Sequence, residues 1–326
     1  MTLPVNLRAA IERECATVDR ARLSRAAGQI TSDYKSGRFL TSLASPEARA
    51  AYLLTRVPAT FAASQFVCEE IRRLAPEFSP ESLLDFGAGP GTASWVASEI
   101  WSSLRGFTLV EAHPEMLSLG KRLASANKSL AAARWVQDSN EIVGQSADMV
   151  VLSYVMGEVK DVQRILSAAW AATRKILVIV EPGTPKNFSA VAKMRRELMA
   201  LGGEVVAPCP HHNECPMYQA GDWCHFAVRL ERTSEHRRLK GGSLGYEDEK
   251  FSYLAISKQP RSMAASRIVR HPETHSGFIK LVLCTPEGLH QQTITRSQKE
   301  QFRAARRAKW GDEWVNWSKS NTGGSS

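Results

Sequence analysis

Long hydrophobic runs are missing from this sequence. No stretch approaches the ~18 apolar residues of a membrane-spanning helix, so no helical span is expected, and no membrane partner. The opening residues lack a signal-peptide pattern. They carry Glu12, Glu14 and Asp19 among their basic residues, which argues against an acid-poor mitochondrial transit peptide; together these features predict a cytoplasmic, bacterial protein. Cysteine is scarce, six in 326 residues, and without secretion these point to metal, a cluster or free thiols rather than disulfides. No internal repeat is found. Acidic residues are in deficit, 33 against 42 Lys and Arg, giving a formal net charge of +9. That favours a polyanionic partner, RNA or a ribosomal surface, over a small acidic substrate.

Residues 1–80 read as a helical region. Apolar positions recur at helical spacing through Leu7 and Ile11, from Ala16 to Leu23 and from Tyr52 to Ile71, punctuated by Pro46 and Pro76. From Leu83 short apolar runs alternate with amphipathic segments. The pattern predicts strands at 82–86, 106–111, 133–136, 147–152 and 175–181, with helices at 92–101, 114–126 and 159–173 between them. Such alternation predicts an α/β fold with a parallel, doubly wound sheet, to which strands at 251–256 and 277–284 are expected to add. The expected organisation is a helical region at 1–80, an α/β domain at 81–290 with a cysteine-rich insertion at 202–245, and a basic C-terminal helix followed by a disordered tail at 291–326.

The run Leu83-Leu84-Asp85-Phe86-Gly87-Ala88-Gly89-Pro90-Gly91-Thr92 passes from a strand into a helix. Gly87 and Gly89 let the backbone turn tightly and approach a ligand, and Gly91 and Thr92 open the helix. Glu111 ends the next strand, where an acid can hold the two hydroxyls of a ribose. Asp138 follows the third strand, at the depth of an adenine edge. The order Asp-x-Gly-x-Gly-x-Gly, then Glu, then Asp resembles the class I S-adenosylmethionine-dependent methyltransferases; the Gly-x-Gly-x-x-Gly register of NAD enzymes is absent. The resemblance implies that Asp85, Gly87, Gly89 and Gly91 cradle the methionine end of the cofactor, that Glu111 binds ribose, and that Asp138 binds the adenine amino group. Ser153, at the end of the fourth strand, joins this cofactor-binding set. The Asp/Asn-Pro-Pro-aromatic motif of amino-methylating enzymes is not found at that strand end, so no catalytic residue is assigned. Tyr154 and Glu158 could touch a substrate or cap the following helix, and for Glu158 the cap is the favoured reading.

Cys209, Cys215 and Cys224 fall among Pro, Gly and His rather than on an apolar face, which is how thiolate ligands on a loop read. Cys284, at the end of a predicted strand before Thr285-Pro286, can supply a fourth. Paired Cys-x-x-Cys knuckles and ferredoxin spacings are both absent, so spacing leaves zinc and iron–sulfur open; His211, His212 and His225 could replace a cysteine or stand behind the ligands. Cys209 follows a proline, as the nucleophile of cytosine-C5 enzymes does, but belongs to the cysteine group. The Cys-x-x-x-Cys-x-x-Cys run of radical S-adenosylmethionine enzymes is missing. Cys15 and Cys68 read as packing residues.

Arg56-Val57-Pro58-Ala59-Thr60, the glycine loop, the segment 208–226, Tyr246-Glu247-Asp248-Glu249-Lys250-Phe251-Ser252-Tyr253 and Trp310-Gly311-Asp312 occur in that order. Together they resemble the methyltransferase-like family of the mitochondrial small ribosomal subunit, that of methyltransferase-like protein 17 and its bacterial relatives. The resemblance implies a class I methyltransferase fold, a [4Fe–4S] cluster on Cys209, Cys215, Cys224 and Cys284, and work on small-subunit assembly or translation. Basic residues after the cysteine segment, Arg237 and Arg238 among them, and on the C-terminal helix, Arg306 and Arg307 among them, are expected to contact rRNA phosphates. The neighbouring Trp310, Trp314 and Trp317 are expected to pack that helix onto the body. The expected form is a monomer that binds S-adenosylmethionine and the small subunit or its precursor. The alternatives are an active rRNA methyltransferase and a redox- or iron-responsive RNA-binding protein.

Overall fold

The computed structural model describes residues 3–36, 43–231 and 245–316. These divide into two compact units. The first takes the described residues within Met1–Glu69, Glu77–Glu181 and Val228–Glu249; the second takes Glu70–Pro76, Pro182–Ala227 and those from Lys250 onward. Among the described residues no helix is long and apolar enough to cross a membrane.

The first unit is built on five parallel strands, β1 (Ser82–Phe86), β2 (Gly106–Val110), β3 (Arg134–Val136), β4 (Ala147–Ser153) and β5 (Thr173–Pro182), in the order β3-β2-β1-β4-β5. Helices α5 (Thr92–Ile100), α6 (Pro114–Ala124) and α7 (Val162–Ala172) connect them. β4 is buried almost throughout, as a strand covered on both faces must be. The chain reverses direction across the sheet between β1 and β4. A crevice therefore opens at their carboxyl ends, where Phe86 pairs in register with both Val110 and Leu152. α6 lies close to the sheet because Gly120 has no side chain: a Cβ there would stand 2.2 Å from Trp135 Cη2.

The expected helical region forms α1 (Val5–Cys15), α2 (Arg20–Ser36), α3 (Pro46–Thr55) and α4 (Val57–Leu74). α3 starts where its chemistry dictates. Pro46 occupies the first turn, and the Ser45 hydroxyl accepts the Ala48 N–H at 3.1 Å. Leu23, Ala27 and Ile30 of α2 pack against Ala50 and Ala51 of α3.

The second unit holds α8 (Pro185–Ala200), β6 (Glu204–Ala207), a single helical turn at Pro216–Gln219, and part of the β7 (Phe226–Glu231) and β8 (Tyr246–Ser257) pair. β6 runs antiparallel to β8. The segment expected as an inserted loop thus contains strands; its residues 232–244 lie outside the described residues. The strand expected at 277–284 does not extend the parallel sheet. It forms β11 (Phe278–Thr285) of a separate antiparallel sheet with β9 (Arg267–Ile268), β10 (Glu273–Thr274) and β12 (Gly288–Thr295). The reason is the short turn after Thr285, which folds the chain back so that β12 becomes its partner. Ile268, Ile279, Leu281, Leu283, Ile294 and Trp314 form the core under this sheet, and the C-terminal helix Lys299–Ala305 adds Ala305 to it. The tail expected to be disordered lies, from residue 317, outside the described residues.

Candidate functional site

The carboxyl ends of the parallel strands enclose a cavity of about 720 Å³ in the first unit. Asp85, Gly87, Gly89, Glu111, Asp138 and Ser153 all line it. Of the expected cofactor-binding residues, Gly91 serves instead as the N-cap of α5, at φ 83°. Gly87, at φ 65°, is required twice over: its backbone is left-handed, and a Cβ would stand 2.2 Å from Val155 Cγ2. That contact also lays the segment after β4 directly against the glycine turn.

Four carboxylates line this cavity, Asp85, Glu111, Asp138 and Glu158, and the charge of Glu181 acts on the last of them. Asp85 is 1% exposed; Oδ2 accepts the Ser94 hydroxyl at 2.8 Å while Oδ1 has no partner, and burial pushes its pKa up to about 7. Glu111 accepts the Gly89 N–H on Oε2 and the His113 N–H on Oε1, each at 2.8 Å, tying the glycine loop to the end of β2. Burial raises its pKa, and these two bonds pull it back. Glu158 lines the cavity, its pKa pushed up to about 8 by burial and then by the charges of Glu181 and Glu111. Glu181, pushed up by burial to about 7, accepts the Met156 N–H at 2.8 Å. The expectation that Glu158 caps the next helix is corrected: Asp161 is that cap, accepting the Arg164 N–H at 2.9 Å. Asp138 is exposed and caps the turn Ser139–Ile142, accepting the Asn140 N–H at 2.8 Å, which holds its pKa below the usual value.

The opposite wall carries an arrangement that motif reading noted only as family marks. Arg56, between α3 and α4, donates Nη2 to Glu249 Oε1 at 3.2 Å and Nη1 to Oε2 at 3.4 Å, and the Tyr154 hydroxyl donates to Glu249 Oε1 at 3.0 Å. Arg56 and Glu249 are buried. Tyr154 sits at φ 57°, left-handed and strained for a non-glycine residue. The co-occurrence of the two motifs was the available signal; a separation of 193 residues hid the pairing.

In the second unit Cys209, Cys215, Cys224 and Cys284 line one cavity of about 40 Å³. Among the described residues no three His, Cys, Asp or Glu side chains are gathered as a group that could hold a metal ion. The thiols therefore share a cavity without being drawn together in it. Burial raises the pKa of Cys215, Cys224 and Cys284, and the Cys209 charge raises each further. Of the three candidate histidines only His211 lines the cavity, its Nε2 3.4 Å from Cys284 Sγ, and burial lowers its pKa to about 4. His212 turns away, accepting the Val205 N–H at 2.9 Å, and His225 stacks on Trp223. Arg267 runs beneath the cavity, 2% exposed, donating to Pro208 O at 3.0 Å and Gly311 O at 2.9 Å and pairing with Glu70 at 2.7 Å.

Arg306 and Arg307 are exposed just past the C-terminal helix. Arg237, Arg238 and Trp317 lie outside the described residues. Trp314 packs into the core as expected, and its indole N–H donates to Gln292 Oε1 at 2.9 Å. Trp310 is half-buried against His225 and His271.

The strand order, the glycine turn after β1 and the acid after β2 define a class I methyltransferase fold. A solved structure of this kind, magnesium protoporphyrin IX methyltransferase from Synechocystis with bound S-adenosylmethionine, is 11% identical, with a TM-score of 0.39 over 62% of this chain and 80% of that one. Within that fold, residues 46–315 match the family described as mitochondrial small ribosomal subunit Rsm22, and the chain belongs to it. Human mitochondrial ribosome assembly protein METTL17 is 28% identical over 80% of this chain and 61% of its own length. The Schizosaccharomyces pombe mitochondrial Rsm22-cox11 tandem protein 2 is 22% identical over 80% of this chain and 42% of its own. This chain thus spans between two fifths and two thirds of these relatives.

The expectation of a bacterial cytoplasmic protein is overturned by these relatives, which are mitochondrial proteins. Two of the acids on which it rested are engaged within the fold. Glu14 pairs with Arg122 at 2.8 Å, and Asp19 Oδ1 accepts the Arg22 N–H at 2.9 Å. Their presence reports helix and ion-pair formation, not an address.

Proposed function

We propose that this protein binds S-adenosylmethionine in the strand-end cavity and acts on the small ribosomal subunit as an assembly or translation factor that contacts rRNA. The observation that carries the cofactor reading is the cavity itself, set at the carboxyl ends of β1, β2 and β4 and walled by Asp85, Glu111 and Glu158. Carboxylates repel the phosphates of dinucleotides and suit a cationic ligand. In this reading Gly87 and Gly89 bring the backbone against the methionine end, Glu111 meets the ribose and Asp138 the adenine edge. The mitochondrial names of the relatives support placing this work in that compartment. A binding role is favoured over methyl transfer because the Tyr154 hydroxyl is bonded to Glu249 and the amine-accepting Asp/Asn-Pro-Pro motif is missing.

We also assign a [4Fe–4S] cluster to Cys209, Cys215, Cys224 and Cys284. What supports this reading is the chemistry of the donors: four thiols on one cavity suit a soft, thiolate-ligated centre better than a hard oxygen-binding ion. The cluster would supply four metal–sulfur bonds and the ordering free energy that accompanies them. The residues contribute by giving up the protons that burial otherwise holds in place.

Calorimetry with S-adenosylmethionine tests the cofactor reading. The parent should bind, and Gly89→Val should not, since Gly89 faces the cavity at φ 54°. A parent that shows no heat of binding overturns it.

A further inference from the structure

Among the described residues that line it, the strand-end cavity is rich in carboxylates. Its cationic lining residue, Arg56, is engaged by both oxygens of Glu249. His113 also lines the cavity; its backbone N–H goes to Glu111, and among the four lining acids the charge of its imidazole acts on that carboxylate. The lining acids come from separate elements: Asp85 from β1, Glu111 from the end of β2, Asp138 from just after β3 and Glu158 from the segment after β4. Glu158 lies within electrostatic reach of both Glu111 and Glu181, and Tyr52, whose phenol burial keeps neutral, feels Glu158 and Glu111 as well. A ligand is called for by a second observation. Asp85 is 1% exposed, lines the cavity, and has a buried Oδ1 that no described group satisfies. A buried carboxylate oxygen without a donor is costly unless something arrives to meet it.

Resting on the cofactor reading above, we propose that this cavity selects its ligand by charge: it takes the cationic sulfonium form of the methyl donor and discriminates against the neutral thioether that remains once the methyl group is gone. The two ligands have nearly the same shape and differ by one methyl group and one positive charge. Apolar contact with a single methyl is worth little more than one group's transfer free energy. The charge meets a wall of carboxylates in a partly desolvated site, where electrostatic differences are largest. The protein then acts as a reader of the methyl-donor supply, occupied when the donor is present and released when it has been spent. Before a ligand arrives, burial and its acidic neighbours favour the protonated form of Glu158 relative to an ordinary carboxylate. Arrival of a cation favours its ionised form, so uptake of the donor releases protons and uptake of the thioether does not.

The test is calorimetry on the full chain at pH 7.5 with three ligands: S-adenosylmethionine, S-adenosylhomocysteine and sinefungin, which carries a protonated amine in place of the sulfonium. Both cationic ligands should bind at least about tenfold tighter than the thioether, a difference of about 1.4 kcal/mol. Repeating the titrations in two buffers of different ionisation enthalpy should show proton release with the cationic pair alone. Glu158→Gln should weaken the cationic ligands, spare the thioether and abolish proton release. Equal affinity of the parent for donor and thioether overturns the charge-selection proposal while leaving the cofactor reading intact, and so does a gap that survives in Glu158→Gln. Failure of all three ligands to bind the parent overturns the cofactor reading itself. The parent comparison decides the matter even if the variant does not fold.

Discussion

Arg56 and Glu249 show what a single buried pair does at the edge of a ligand site. Both side chains are about nine-tenths buried, at 9% and 10% exposure. Glu249→Ala leaves a guanidinium without its partner in a desolvated place, a change that costs about 3–5 kcal/mol in comparable buried pairs. Tyr154→Phe removes only a hydroxyl bond to the same carboxylate and should cost about 1 kcal/mol. Urea unfolding should rank the variants in that order, and an Arg56→Met, Glu249→Leu double variant should recover much of the loss. Equal stabilities for Glu249→Ala and the parent would show that the pair does not act as a unit. At this scale the sequence was legible where one residue type can do the job. Gly87 was readable because only glycine tolerates both its backbone and its contact with Val155. The role of Glu158 was not, because its position on the cavity wall depends on the turn after β4.

Elements were legible in proportion to their periodicity. β1 and α5 follow the glycine motif almost residue by residue, and β4 declares itself by an apolar run. β12 stayed hidden because one of its buried positions is Gln292, which meets the Trp314 indole, so the strand reads as polar. β11 was found but assigned to the wrong sheet, since nothing in its own residues names its partner. The cysteine segment was read as a ligand group on a loop, and not as a stretch containing β6 and β7. The proposed cluster should stabilise this element. Protein purified without oxygen should carry about four iron and four sulfide per chain. Cys215→Ser should lower both and make the stretch between α8 and β7 protease-sensitive, because Cys215 opens the helical turn Pro216–Gln219. One tightly held zinc without sulfide, or a variant with full iron and an intact stretch, would exclude the cluster.

For the whole molecule, charge is the property the sequence states most directly and the fold explains least. The net charge of +9 is a sum over the chain, and Arg306 and Arg307 are the expected RNA-binding residues that lie among the described ones. Reversing Arg237, Arg238, Arg306 and Arg307 to Glu should weaken co-sedimentation with small subunits. It should also flatten the salt dependence of binding, by about one unit of slope for each phosphate that is no longer neutralised. Cofactor affinity should not change in the Arg306→Glu, Arg307→Glu pair, since these two residues take no part in the strand-end cavity. Unaltered association of the reversed protein would mean that the basic surface is incidental.

The Arg267 guanidinium also sets a timetable. Its partners come from residues 70, 208 and 311, so this buried cation gains the last of them only after nearly the whole family region has been synthesised. Domains usually fold on the ribosome as soon as their sequence has emerged. The second unit cannot follow that schedule, because α8, β6 and β11 exist for some time as nascent chain before the Gly311 carbonyl arrives. On the proposal of a cluster, that interval is when it should be inserted, since the cavity that the four cysteines line in the folded chain is only about 40 Å³.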